Sequence, residues 1–241
     1  MDLEPQRAGE GELATALRLL ERVLLAYPRA FDVVLADAYY AVAPFLNFLR
    51  AHGKHALVVL KNERRDTYQD AAGLWAQLPP LPGNYASRSC RWWDIAELRS
   101  CPGVNGATRV VRSEESWTVK RQLTKETALQ TSSWVWLTTL SVAQARTEQI
   151  VHLAHLRWDI ENHGFNELVN GWHADHVYHH HSRAVESFLL LAFLAYNLFH
   201  AFYALNLKPA VRHNTTMAFW VRLIATEIHA FPRLHPFAAP P

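Results

Sequence analysis

Two short runs on either side of one helix-length stretch constrain this chain more than anything else in it. "FDVVLAD" (31–37) and "ALVVLK" (56–61) are apolar and β-branched without alternation, the pattern of strands covered on both faces. Between them, "AYYAVAPFLNFLRAHG" (38–53) has helical spacing and stops at Gly53, the residue type favoured just past a helix end. Strand, helix, strand in that order implies a parallel pair joined by a right-handed crossover, so the expected fold class is α/β. Asp37 ends the first run, where open α/β sheets place ligand and catalytic groups. Aspartate is also a favoured N-cap for the helical element after it, and both roles stay open.

Around this unit the periodicity changes twice. "LATALRLLERVLLA" (13–26) reads as an amphipathic helix that stops before Pro28, and residues 66–78 allow another. "LPPLPGN" (78–84) then breaks the pattern with prolines and a glycine. From about 85 to 140 the chain is rich in Trp, Thr, Val and Ser, with "GATRVVR", "SWTVKRQL" and "SSWVWLTTL" as strand candidates. Helical spacing returns after Ser141, which forms a capping box with Gln144, and runs through Ile150, Leu153, Leu156 and Ile160. The expected organisation is therefore an α/β part over 1–78, a β-rich insertion over 79–140 and a helical part over 141–241.

Composition excludes several classes. Half of the 241 residues are hydrophobic and 19% are charged, which rules out a disordered tail or a fibrous repeat. A net charge of +2 permits a nucleic-acid partner without demanding one, so DNA contact would need a local patch. Cys90 and Cys101 are too few for a zinc finger or a disulfide scaffold. The opening "MDLEPQRAGEGE" lacks the apolar core of a secretory signal, so the expected location is cytoplasmic. Ser187 to Leu207 carries no charge and is long enough to span a bilayer. Asn197 and His200 within it, and Arg183 and Glu186 just before it, favour a buried core helix and no membrane.

The stretch "HLRWDIENHGF" (155–165) sets charge among large apolar residues. Arg157 and Glu161 are four apart and share a helix face, as an ordinary surface ion pair would. Trp158, Ile160 and Phe165 pack one side, so the charges are expected to face a cleft, with Asp159 pointing away into solvent.

"RWDIE" followed by "NHGFNEL", with "VVLADAYY" upstream, resembles the bacterial insertion-sequence transposases of the DDE class and their Y-x2-R-x3-E-x6-K signature. The resemblance covers most of the chain. It implies a ribonuclease-H-like core interrupted by a β-rich insertion, with Asp37 the second catalytic aspartate, Glu161 the catalytic glutamate and Arg157 the signature arginine. Ala154 stands where the signature has tyrosine, and Leu168 where it has lysine. The family's first catalytic strand has no counterpart here, since Asp2 lies in "MDLEPQ", which has no apolar run. The chain thus reads as a family member truncated before its first strand.

What the resemblance implies chemically is DNA cleavage and strand transfer at transposon ends with magnesium or manganese, held by Asp37 and Glu161. Two metal ions about 4 Å apart need a bridging carboxylate, and hard oxygen ligands are what magnesium requires. With the first aspartate absent, the expectation is a chain inactive alone. Arg157 would still contact phosphate or orient Glu161. Double-stranded DNA, both transposon ends and target, is the implied partner. A homodimer or association with a full-length transposase would make the chain a DNA-binding or dimer-poisoning inhibitor.

In the insertion, tryptophans accompany cations. Trp92 or Trp93 is expected to stack a base, and Lys120 and Arg121 to meet phosphates, most other tryptophans being core. A rival reading is a transition-metal site from His152, His155 and Asp159, or from His173, Asp175, His176 and His179 to His181, although no familiar zinc motif matches.

Overall fold

Val33–Ala36 (β1) and His55–Val59 (β2) pair in parallel, with Val33 opposite His55 and Ala36 opposite Val58. Ala43–Ala51 (α2) forms the crossover between them, opened by a proline in its first turn and followed by Gly53 at φ +66°, which a helix C-terminus of this kind needs. In this computed structural model, which describes residues 2–120, 126–176 and 178–234, the fold is mixed α/β of the ribonuclease-H-like kind. The described chain forms two compact units, residues 6–160, and residues 1–5 with 161–241.

In the first unit Glu12–Ala26 (α1) precedes β1, and Asp66–Trp75 (α3) comes after β2. Leu81–Tyr85 (β3), Arg88–Leu98 (β4), Thr108–Lys120 (β5) and Thr127–Thr138 (β6) complete one six-stranded sheet, in the order β1-β2-β6-β5-β4-β3. The stretch set off as 79–140 therefore continues the sheet that β1 and β2 begin: β6 pairs antiparallel with β2, Leu57 opposite Thr138 and Val59 opposite Trp136. Two of the strand candidates, 106–112 and 116–123, fall along the single long strand β5, whose described part ends at Lys120.

"LPPLPGN" does not interrupt the sheet but supplies its edge. Pro82 and Gly83 lie in β3, which among the described residues pairs with β4 alone, and a sheet edge is where proline is tolerated. Gly83 is required by a neighbour, because a Cβ there would lie 2.2 Å from a carbon of the Trp92 ring. The pairing of β4 with β5 slips between Ile95 and Leu98, where Glu97 takes φ +60°, the local signature of a bulge.

Alternation along the central strands divides the core. Ala56 and Val58 of β2, with Val110 and Leu137, pack beneath Phe45, Leu46 and Leu49 of α2 and Ala71 and Trp75 of α3. Leu57 and Val59, with Val111 and Trp136, face Ile150, Val151 and Ala154 of Thr147–Asp159 (α4) on the other side. β2 is thus covered on both faces as its sequence demands, whereas β1, paired on one side only among the described residues, is half-buried throughout.

The approach to α4 is pinned by a buried arginine. Arg109, 2% exposed, donates from Nε to Asp94 Oδ1 at 2.7 Å and from Nη1 to the carbonyls of Ala145 at 2.6 Å and Ser141 at 3.2 Å. Thr147 Oγ1 donates to the same aspartate at 2.6 Å. Ser141 and Gln144 do exchange bonds, Ser141 N–H to Gln144 Oε1 at 2.9 Å and Gln144 N–H to Ser141 Oγ at 3.3 Å. They close a separate turn, and α4 itself begins at Thr147 with Arg146 N–H donating to Gln149 Oε1 at 2.8 Å.

The second unit is helical: Asn166–Trp172 (α5), Ser182–Asn206 (α6), Pro209–His213 (α7) and Met217–Leu234 (α8). One side of α6 is packed, with the Trp172 ring 5.7 Å from that of Phe199 and Tyr196 Oη donating to Glu167 at 3.2 Å. The other side is open. Only Ala192 and Phe199 of α6 are buried, while Leu191, Leu194, Leu198 and Leu205 are exposed, so the helix is not the enclosed core element expected. By length and composition it is apolar enough to cross a membrane, a test that helices of soluble proteins also pass.

Candidate active site and nucleic-acid interface

Asp37 comes directly after the last residue of β1 and stays extended, at φ −80° and ψ −175°, before the 3-10 turn Ala38–Tyr40. Its Oδ1 accepts from Tyr39 N–H at 2.8 Å, so the aspartate is both strand-end residue and cap. It is exposed. A cleft of about 370 Å3 opens at the same carboxyl edge of β1 and β2, lined by Ala41, Val42, Leu60, Arg64, Arg65 and Thr67 among others. Arg65 donates to the Ala41 carbonyl and so ties the segment after β2 to the segment after β1. The two arginines are not singled out by any motif. Their signal is position, since "NERRD" lies just beyond the second buried parallel strand, at its carboxyl end.

Arg157 lies in the last turn of α4, half-buried, its guanidinium 4.4 Å from the centre of the Trp158 ring. Ala154, in the tyrosine position of the signature, is packed into the sheet-facing core, and Asp159 is exposed as expected. Regular α-helix ends at Asp159, and Ile160–Phe165 is π-helical. Glu161 is exposed in that segment and falls in the second unit, where Leu168, in the lysine position, is buried. The wider π turn changes the rotation per residue, so four-residue spacing alone does not put Arg157 and Glu161 on one face. Such turns within helices are frequent at functional sites.

Trp92 and Trp93 point to opposite faces of β4. Trp92 is 6% exposed, packed under Gly83 with the α4-side core, and offers little ring surface to a base. Trp93 is half-buried, donates from Nε1 to the Leu78 carbonyl at 3.1 Å, and has the Arg112 and Arg91 guanidiniums 4.9 and 5.8 Å from its ring centre. Both arginines also pair with Glu114, which removes part of their charge from any phosphate. Lys120 is exposed as the final residue of β5. Arg121 lies outside the described residues.

One cluster has no signal in the sequence. The Glu115 side chain on β5 is fully enclosed and accepts from His155 Nε2 at 2.6 Å, Arg88 Nη1 at 2.7 Å, Ser113 Oγ at 3.2 Å and Ser132 Oγ at 3.4 Å. Burial alone would raise its pKa, but the hydrogen bonds and positive charge of His155 and Arg88 outweigh burial and hold the carboxyl below its usual range. The second Glu of "RSEES" gives no sign of this, because His155, Arg88 and Ser132 are distant in sequence. His155, proposed as a metal ligand with His152 and Asp159, is instead turned to Glu115, while His152 is exposed. Among the described residues no group of three His, Cys, Asp or Glu side chains comes together to hold a metal ion, in the histidine-rich stretch or at Asp37.

No curated protein matches the chain. The family model of the transposase DDE domain matches residues 1–198, a span that takes in Asp37, Arg157 and Glu161. The chain belongs to the transposase DDE domain family.

Proposed function

We propose that this chain acts on transposon-end DNA, with Asp37, Glu161 and Arg157 as its site residues and Trp93 and Lys120 as outlying DNA contacts. Family membership carries the general statement: the chain is a transposase, its function is DNA recombination, and its partner is DNA. The family normally works in the cytoplasm and generally depends on divalent metal ions. The observation that supports the assignment of residues is Asp37, an exposed carboxylate at the carboxyl end of one strand of a parallel pair, the edge of the sheet at which Arg64 and Arg65 follow the other strand.

Arg157 suits a phosphate because its planar fork offers paired donors, and its guanidinium is already steadied on Trp158. Asp37 and Glu161 are the oxygen donors that magnesium or manganese would meet. The described residues do not assemble a three-donor site, so they do not fit a bound metal as they stand and no step is drawn through one. A second reading, binding without cutting, is favoured by β1, which pairs on one side only among the described strands. A third carboxylate beside Asp37 would need a strand on that side. A chain that binds ends or pairs with an intact relative without cleaving would act as an inhibitor of transposition.

The test is binding and strand cleavage of DNA carrying the element's own ends, with magnesium or manganese, for the chain, its Glu161→Gln and Arg157→Ala variants, and a version extended upstream. Expected are end-specific binding weakened by Arg157→Ala, no cutting by the chain itself, and Glu161-dependent cutting by the extended version. Glu161-dependent cutting by the chain itself would establish the first reading over the second. Absence of end-specific binding by every version would overturn both.

A further inference from the structure

We propose that the Glu115–His155 pair is a positioning device for Arg157, setting the end of α4 on the sheet so that the guanidinium is presented in one orientation. The proposal rests on the reading of Arg157 as a phosphate contact, but its geometry stands by itself within residues 6–160.

Two routes lead from Glu115 to Arg157. On the first, His155 Nε2 lies 2.6 Å from Glu115 Oε1, and the imidazole stands edge-on to Trp134 at 6.0 Å between ring centres. Trp134 stands edge-on to Trp158 at 5.8 Å, and Trp158 underlies the Arg157 guanidinium at 4.4 Å. On the second, Ser132 Oγ donates to Glu115 Oε2 at 3.4 Å and accepts from Trp134 Nε1 at 3.2 Å, so the carboxylate also fixes the ring that Trp158 leans on. The other face of His155 is closed by Tyr85, stacked at 4.1 Å with 15° between the planes.

The helix needs such a fixture at this point. Its start is held by Arg109 through the Ala145 carbonyl, and Ile150, Val151 and Ala154 pack beneath the sheet. His155 is the last buried residue of α4, and five residues later, at Ile160, the α-helical pattern gives way to a π turn. Apolar packing against a sheet tolerates small rotations and slips, whereas a hydrogen bond between two enclosed groups has one satisfied geometry. A buried ion pair contributes little net stability over well-packed apolar residues, and its best-attested use is to fix register. Here it fixes the register of α4 two residues before Arg157.

The experiment uses the full chain and reads the Arg157 side-chain Nε–H by nuclear magnetic resonance, assigned through Arg157→Lys. In the wild type the signal is expected upfield, because the group lies over the Trp158 ring. A signal at the averaged position of a mobile arginine in the wild type would overturn the proposal without any variant. His155→Phe keeps a ring against Tyr85 but removes the donor, and is expected to shift the signal to the averaged position. His155→Gln restores a donor to Glu115 and is expected to bring the signal back. A folded His155→Phe protein with an unchanged Arg157 signal, or a Gln variant no better than Phe, would overturn it. Binding of end-bearing DNA is measured in parallel, where His155→Phe should weaken affinity roughly tenfold, the scale of one charged hydrogen bond. The loss should match that of Arg157→Ala and not add to it. If the signal responds as expected while neither variant alters DNA binding, the positioning stands and the assignment of Arg157 to phosphate fails.

Discussion

Arg109 and Asp94 face each other across β5 and β4 as an enclosed pair, side chains 2% and 10% exposed, and the same guanidinium reaches the Ala145 carbonyl ahead of α4 at 2.6 Å. One residue thereby joins two strands to the turn that launches the helix carrying Arg157. Truncating Arg109→Ala would leave Asp94 without its cation and take the guanidinium donor from the Ala145 carbonyl, while the Ser141 carbonyl keeps the N–H groups of Gln144 and Ala145. The expected cost is about 3–5 kcal/mol, the range for breaking a buried pair from one side. Urea unfolding of both proteins at neutral pH measures it, and a cost below about 1 kcal/mol, the scale of an exposed pair, would mean that the pair does not hold α4 to the sheet.

Gly83 gives a steric prediction. A methyl group there meets the Trp92 ring at 2.2 Å, and the ring is hemmed by the α4-side core. Gly83→Ala should destabilise by roughly 1–3 kcal/mol as an overpacked site does, with a change in tryptophan fluorescence that marks the ring's displacement. An unchanged unfolding midpoint would show that β3 moves aside at no cost.

Glu115 sets a pH dependence. Its carboxyl is held below the usual range by His155 and Arg88 despite burial, so the folded state binds its proton less well than the unfolded chain does. The contribution is complete above the unfolded value of about 4.3 and is lost as pH falls through the lower folded value. Glu115→Gln lacks it. The stability gap between wild type and variant should therefore be widest near neutrality and shrink under acid. Denaturation series at several pH values check this, and a gap that grows as pH falls would reverse the assignment.

Lys120 is exposed at the end of β5, so its removal should leave the fold untouched. If it meets a phosphate, Lys120→Ala lowers affinity for all DNA sequences alike and reduces the salt slope of binding by about 1. Trp93→Ala, by contrast, should reduce affinity with little change in that slope, because stacking releases no counterion. Equal slopes for Lys120→Ala and wild type would remove Lys120 from the interface.

Features whose information is local were legible in the order of residues alone. Continuous apolar runs around 33–36 and 56–60, the helix between them and Gly53 at its end specify the parallel pair, because unbroken hydrophobicity, propensity and a left-handed terminus are properties of neighbouring residues. The resemblance carried by "RWDIE" and "VVLAD" singled out Arg157, Glu161 and Asp37, whose roles are a proposal that the fold does not itself test. Three-dimensional packing was needed to make "LPPLPGN" an edge strand, since a proline's fitness for a sheet depends on which side has a partner. Packing, too, enclosed Glu115 with His155 and Arg109 with Asp94. A charged side chain reads as surface in one dimension, and its burial depends on a partner that the chain brings back from 40 residues away in the first pair and 15 in the second.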